Sequence, residues 1–515
     1  MVYDICNMKV KDKVMKRNYI QYSALLFLGM FMFTSCSNSF LDVVPKGQSL
    51  ESNYYSNPDE AFAGVVAAYS ALNTETFNTY SSTLGPLNSA SDDCYTGGGS
   101  SSDMATWQVW NNYTLTSAQG PESDFWGVNF TGVAKCNTIL SKLDGVPGLS
   151  DALKSRYTAE AKFLRAHFYF DLVRLFGNVP LMTNALTLSD VYSQKQAKPA
   201  EVYAQVEKDL TEAIPDLPAT VPQDENGRVT QGAAKALLGK VYLYEQKWSS
   251  AASMLADVNG PTPGQENPTY GYKLLANYAD IFSPDNKFNS ESIFEIQHTG
   301  TQNYGWGNWG SFKSNVYVQM VGPRSYSGPT YSAGWGFNPI TMSLVNVLKN
   351  DPRYNATVVN MDSLQAAGVC SYSPSYQNTG YFIKKYAPLL KYKTTTGTAE
   401  LNYPNDYIEI RLADTYLMEA EALVHTGSNA ARAQALLDAV RARVGLGSVP
   451  ATLDNIYKER RLELATEGHR WFDLVRTGRA ATVLGPSGFV AGKNELLPIP
   501  LAELTNTQLV QNPGY

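Results

Sequence analysis

Residues 157–176 read YTAEAKFLRAHFYFDLVRLF, and no other stretch of the chain restricts the fold as much. Tyr157, Ala161, Leu164, Phe168, Leu172 and Leu175 form one helical stripe, while Phe163, Tyr169, Phe170 and Val173 widen it past a single face. A helix apolar over that much of its circumference must be covered on both sides. The chain therefore needs helical layers flanking this segment, which Gly177 and Pro180 terminate as C-cap and stop. A further helix is expected to begin at Asn57-Pro58-Asp59-Glu60, with Phe62, Val65, Tyr69 and Leu72 on one face. Others are expected at 199–214, 230–246, 406–425, 430–443 and 453–476, largely in pairs. Leu238-Gly239 followed by Tyr242 fits the L-G-x-x-Y core of a tetratricopeptide helix, and Leu412-Ala413 with Tyr416 is a looser echo. Their separation argues for an interrupted set of helix pairs instead of a tandem array. Ala233, Ala234, Ala236 and Gly239 are small enough to let neighbouring helices approach closely.

Between 260 and 402 the character changes: Gly, Pro, Asn, Ser and Tyr dominate, and only 340–349 reads as a short helix. An insertion this long without regular structure is uncommon unless functional. The expected fold is mainly α, an α-α superhelix of irregular tetratricopeptide-like helix pairs with a long loop-rich insertion. The expected division is 57–260 (N-terminal helices), 261–402 (insertion), 403–480 (C-terminal helices) and 481–515 (tail), all within one domain. Hydrophobic residues make up 44% of the 515 residues, a globular composition. Only 17% are charged, with a net charge of −6, so the basic footprint of a nucleic-acid binder is missing.

The first 35 residues carry Lys9, Lys11, Lys13, Lys16 and Arg17, then the apolar run ALLFLGMFMF at 24–33, then Thr34-Ser35-Cys36. A basic head, a short apolar middle and small residues before a cut make a secretory signal, too short to span a membrane comfortably. Phe33-Thr34-Ser35-Cys36 is similar to a bacterial lipobox, in which Cys36 is lipidated and becomes the first mature residue. The competing reading is an ordinary signal with an incidental cysteine. A start at Met15 gives a more usual signal length, so both starts stay open. The mature chain then carries a charge of −9, a tether at 36–56, and Cys94, Cys136 and Cys370 as remaining thiols, enough for one disulfide at most.

Catalytic motifs are scarce. Residues 305–310 (GWGNWG) match G-x-G-x-x-G without the strand, helix or acidic partner that give it meaning. Gly97-Gly98-Gly99 lacks the Lys-Ser/Thr of a P-loop, and the four histidines form no HExxH. Glu463 and Glu467 are four residues apart, but Arg460, Arg461, Arg470 and Arg476 surround them, which favours ion-paired structural carboxylates over a glycosidase pair. No enzymatic activity, cofactor or metal is expected.

Tryptophans carry the ligand argument. Trp126, Trp248 and Trp471 fall in or beside helices and are expected in the core, whereas Trp107, Trp110, Trp306, Trp309 and Trp335 lie among Gly, Ser and Asn. Tyr304 and Tyr331 join them, with Asp93 and Arg324 as polar neighbours. Flat rings on loops can stack on a sugar face while carboxylate and guanidinium groups bind its hydroxyls. The competing reading is that these rings only pin down long loops.

Several segments in order resemble the SusD/RagB family of outer-membrane nutrient-binding lipoproteins: the lipobox-like end at Cys36; 159–166 (AEAKFLRA) running on to 174–181 (RLFGNVPL); 430–443 (AARAQALLDAVRAR); 459–464 (ERRLEL) with 467–474 (EGHRWFDL); and 497–500 (LPIP) with 511–515 (QNPGY). The resemblance implies tetratricopeptide-like helix pairs supporting a variable loop region. It also implies a lipid-anchored outer-membrane protein, facing the cell exterior, that captures an oligosaccharide and delivers it to a SusC-like TonB-dependent transporter, touching the membrane only through its anchor. Peptide capture by the same transporter system is the alternative, and the enzymes encoded by neighbouring genes would separate the two.

Overall fold

The Asp151–Phe176 helix is the spine of the computed structural model, which describes residues 55–73, 83–303, 305–308 and 313–515. The Ser150 side chain caps it by accepting from Leu153 N, and Gly177 ends it with φ 69°. Nearly every residue from Tyr157 onward is buried, because the Glu122–Lys142 helix packs on it and so does the Pro199–Ala213 helix. Gly132 permits the first contact: a Cβ there would lie 2.3 Å from Phe168 Cε2. Arg165 ties the second, donating from Nε and Nη2 to the two Asp209 oxygens at 2.8 and 2.7 Å. A buried bidentate pair of this kind fixes one register of the two helices.

The Gln231–Tyr244 and Trp248–Asn259 helices form the next hairpin, with Leu255 filling the space that Gly239 leaves. The following layer is the Leu412–Thr426 helix, which packs directly on Trp248–Asn259 although residues 260–411 separate them, and the Ala430–Arg443 helix packs on it in turn. The insertion is thus looped out of a continuous stack. Its ends are clasped by antiparallel pairing of Ser292–Ile296 with Tyr407–Arg411. The mainly α fold of irregular helix pairs is the one expected.

Four departures have physical causes. The Glu122–Lys142 and Trp248–Asn259 helices had no expected bounds, although Trp126 and Trp248 are expected in or beside helices; polar and small residues (ESD, SSAAS) break their apolar stripes. Residues 407–411 are a strand, not the start of a helix, because they pair with 292–296. The expected 453–476 helix is interrupted: it ends at Glu463 and resumes at Arg470, with Thr466 and Gly468 at φ 68° and 78°. Asn88 fills the gap, donating to Thr466 O at 3.0 Å and accepting from Gly468 N at 3.3 Å. Finally, the insertion has its own short helices, Tyr317–Val321, Tyr354–Thr357 and Met361–Ala366, and its own core around Tyr317, Met320, Phe337 and Leu344.

A buried ionic cluster joins insertion to helices. Glu463 accepts from Arg411 at 2.6 Å and Arg353 at 2.8 Å and contacts Arg443, while Glu467 pairs with Arg411 at 2.8 Å and Lys385 at 2.6 Å. These carboxylates are ion-paired, as expected, but with cations distant in sequence. The arginines expected as partners serve other acids: Arg460 holds Asp414 and Asp473, and Arg476 holds Glu421. Cys94, Cys136 and Cys370 are free thiols.

Candidate functional site

Loop 94–103 is held on the insertion by main-chain bonds. Gly98 N donates to Gly336 O at 2.9 Å, Tyr376 N donates to Gly98 O at 2.9 Å, and Tyr95 N donates to Pro339 O at 3.0 Å. The contact is too close for side chains: a Cβ on Gly97 would sit 2.4 Å from Gly336 O, and one on Gly98 2.6 Å from Phe337 Cε1. The triple glycine is therefore a docking surface for the turn that carries Trp335, Gly336 and Phe337. Gly99 N donates to Asp103 Oδ2 at 2.7 Å, and the Arg324 guanidinium lies beside Gly99.

On this base stands an aromatic surface. Trp306 is 50% exposed and near-parallel to Trp335, with ring centroids 6.0 Å apart and planes inclined by 23°. Arg324 Nη1 donates to Trp335 O at 3.2 Å, which fixes the guanidinium beside the ring pair. Tyr95 and Tyr376, both more than a third exposed, flank the glycine loop. An exposed indole, a guanidinium and tyrosines presented together can stack on a flat ligand and hydrogen-bond its edge.

The structure thus brings together Trp306, Trp335 and Arg324, and sets the 94–103 loop against them. Four other candidates lie elsewhere. Trp107 and Trp110 are in the Ala105–Asn111 helix, not in a loop, with 0% and 1% exposure. Trp107 fills the space above Gly85 and meets Phe337 edge-on at 5.6 Å, so it supports the platform from beneath. Trp110 packs edge-on against Trp471 at 5.3 Å and Phe125 at 5.9 Å. Neither ring has an open face for a ligand. Tyr331 is buried against Tyr326, and burial pushes its hydroxyl up to about 12. Asp93 is buried; that burial pushes its carboxyl up, opposed by Arg461, whose Nε donates to Asp93 Oδ1 at 2.9 Å. Tyr304, Trp309 and Cys36 lie outside the described residues. Sequence reasoning missed Tyr376 and treated Gly97-Gly98-Gly99 only as a failed phosphate loop; three consecutive glycines were the available signal for a close backbone approach.

Comparison with known proteins decides the family. Residues 290–515 match the SusD family model, and residues 39–243 match a model described as "Starch-binding associating with outer membrane". A solved structure titled laminarin binding SusD-like protein is 51% identical, covers 90% of this chain and 100% of its own, and superposes with a TM-score of 0.86. The chain belongs to the SusD family. Within this family, surface glycan-binding protein A from Bacteroides thetaiotaomicron, solved in complex with laminarihexaose, is 28% identical with a TM-score of 0.80 over 88% of this chain and 99% of that one. SusD-like protein P25 from Formosa agariphila is 26% identical over 94% of this chain and 98% of its own length. Starch-binding protein SusD of Bacteroides thetaiotaomicron is 25% identical over 72% of this chain and 75% of its own. As a SusD family chain, this one draws its aromatic surface from both matched regions: the glycine loop from 39–243, and Trp306, Arg324 and Trp335 from 290–515.

Proposed function

We propose that this protein is a non-enzymatic glycan-binding lipoprotein of the outer membrane. It captures an oligosaccharide on the Trp306–Trp335 surface and passes it to a SusC-like TonB-dependent transporter. The observation that carries the reading is the half-exposed Trp306 ring set near-parallel to Trp335 with Arg324 alongside. Such a surface suits a pyranose, whose apolar face stacks on indole while its hydroxyls meet the guanidinium and tyrosines. The laminarin-binding relative at 51% identity favours laminarin-type glucans as the ligand class. Binding without cleavage is favoured because the closely spaced Glu463 and Glu467 are buried in ion pairs and unavailable as an acid and base pair.

Titration calorimetry with laminarihexaose tests the reading. Stacking on one aromatic ring is worth about 1–3 kcal/mol for a nucleobase, and a pyranose offers a comparable flat surface. Trp306→Ala should therefore weaken binding about tenfold or more. Unchanged affinity, with helical content intact by circular dichroism, would remove the platform from the binding site.

A further inference from the structure

A second concave site lies apart from the aromatic platform. It is a groove of about 420 Å³ between the turn Tyr278–Phe282, residues 352–356, segment 384–392 and Asn405. That volume falls within the range of small-ligand sites. Its aromatic walls are held rigidly. Phe282 packs edge-on against Tyr278 at 5.7 Å, with the Lys385 ammonium 4.7 Å from its ring centroid. The Tyr392 hydroxyl donates to Asp285 Oδ2 at 2.7 Å, and Lys391 Nζ lies 4.3 Å from its ring centroid.

Asn405 gives the groove its ligand signal. The residue is 5% exposed and lines the groove, yet its Oδ1 has no hydrogen-bond partner. A buried carboxamide oxygen left unpaired costs about 1–3 kcal/mol, so native proteins pair such atoms with protein, water or ligand. Cations near the groove do not point to an anion. Lys384 Nζ donates to Asn355 O, Lys385 pairs with Glu467, and Lys391 pairs with Asp285. What remains is an aromatic-walled groove with an unpaired acceptor and, in its lining, the Asp280 carboxylate, which accepts from Asn277 Nδ2 at 2.9 Å and keeps further acceptor capacity; such acceptors beside aromatic walls match a hydroxyl-bearing ring.

We propose that this groove is a second subsite for neutral sugar residues, with Asn405 Oδ1 accepting from a hydroxyl and Phe282 and Tyr392 walling the ring. It rests on the oligosaccharide reading of the protein but uses none of the platform residues. The two sites are neighbours: Ala387 and Leu389 line the groove, while Pro388 between them accepts from Ser332 N at 2.7 Å, three residues before Trp335.

The test titrates laminarihexaose into the full-length protein, the double variant Trp306→Ala/Arg324→Ala, and that variant carrying Asn405→Ala or Tyr392→Ala. The platform double variant should retain weak binding, and each added groove substitution should lower it about five- to tenfold. Because Asn405 Oδ1 satisfies no protein group, Asn405→Ala should leave the melting temperature unchanged or higher, whereas a structural role would lower it. Residual binding that is absent, or that ignores both groove substitutions, overturns the subsite. Groove substitutions that weaken binding while platform substitutions do not would support the groove and overturn the platform, so the two readings fail separately.

Discussion

Two buried histidines make folding sensitive to acid. His298 donates through Nδ1 to Ile296 O at 3.1 Å, and burial holds both His298 and His469 down at about 4. An unfolded histidine titrates near 6.5. Between these values the unfolded chain binds more protons, so stability falls as pH drops from about 6.5 to about 4. The cost reaches about 3 kcal/mol for each ring, at about 1.4 kcal/mol per unit. The His167–Glu409 pair at 2.7 Å does not offset this, because Glu409 is held near 2 and His167 is raised by its partner, leaving that attraction intact across the window. Urea unfolding at pH 7, 5.5 and 4.5 should show a steep loss that His469→Gln reduces; an identical loss in that variant would assign the acid sensitivity elsewhere. At this scale the sequence was least informative. Trp107 and Trp110 look alike to Trp306 in composition of neighbours, and only the packing of Gly85 and Trp471 against them shows which rings are core.

Helices were legible where their apolar stripes were unbroken and their ends carried signals. The Ala430–Arg443 helix has the expected bounds, and Asn57, Thr230 and Gly177 cap as their types dictate. Legibility failed where a distant element overrode local preference. Periodicity alone continues the helix from Glu463 through Glu467, but the chain turns there so that both carboxylates reach Arg411. Arg411 comes from a strand and Arg353 from the insertion, partners that no local window contains. The platform was half legible for the same reason: Trp306, Trp335 and Arg324 could be named, but Arg324 is brought beside Trp335 by main-chain bonds of Gly334 N to Pro323 O and Gly336 N to Gly322 O, and the glycine loop joins them through Gly98 N on Gly336 O. Glu463→Leu would leave Arg353, Arg411 and Arg443 buried without their shared acid. Breaking a buried pair costs about 3–5 kcal/mol, and the insertion should loosen from the helices with it. A denaturant midpoint within experimental error of the parent would show that the remaining acids, Glu291, Glu459 and Glu467, suffice to hold the three arginines.

For the whole molecule, the helix stack and the insertion have separate tasks. Packing of Trp248–Asn259 on Leu412–Thr426 closes the stack across residues 260–411, of which Tyr270, Tyr272, Ile293, Phe294 and Ile410 join the helical core while others build a separate core under the aromatic surface. Capture at a cell surface also needs attachment, and no described helix is long and apolar enough to cross a membrane. The lipid anchor belongs to the proposed function, and the residue proposed to carry it is Cys36, at the end of the basic, apolar and small-residue sequence of the first 35 residues. Acyl chains contribute about 0.8 kcal/mol per buried methylene, and more than one chain is needed for stable anchoring. Replacing Cys36 with Ala should move the protein from the outer-membrane fraction to the soluble fraction and abolish incorporation of labelled palmitate, while the purified variant still binds laminarihexaose with parental affinity. That combination would separate anchoring from capture, since the platform lies between residues 94 and 376. A Cys36→Ala protein that still sediments with outer membranes and still takes up label would mean that another residue is acylated. One that sediments without label would mean that a protein partner in the membrane, not lipid, holds it there.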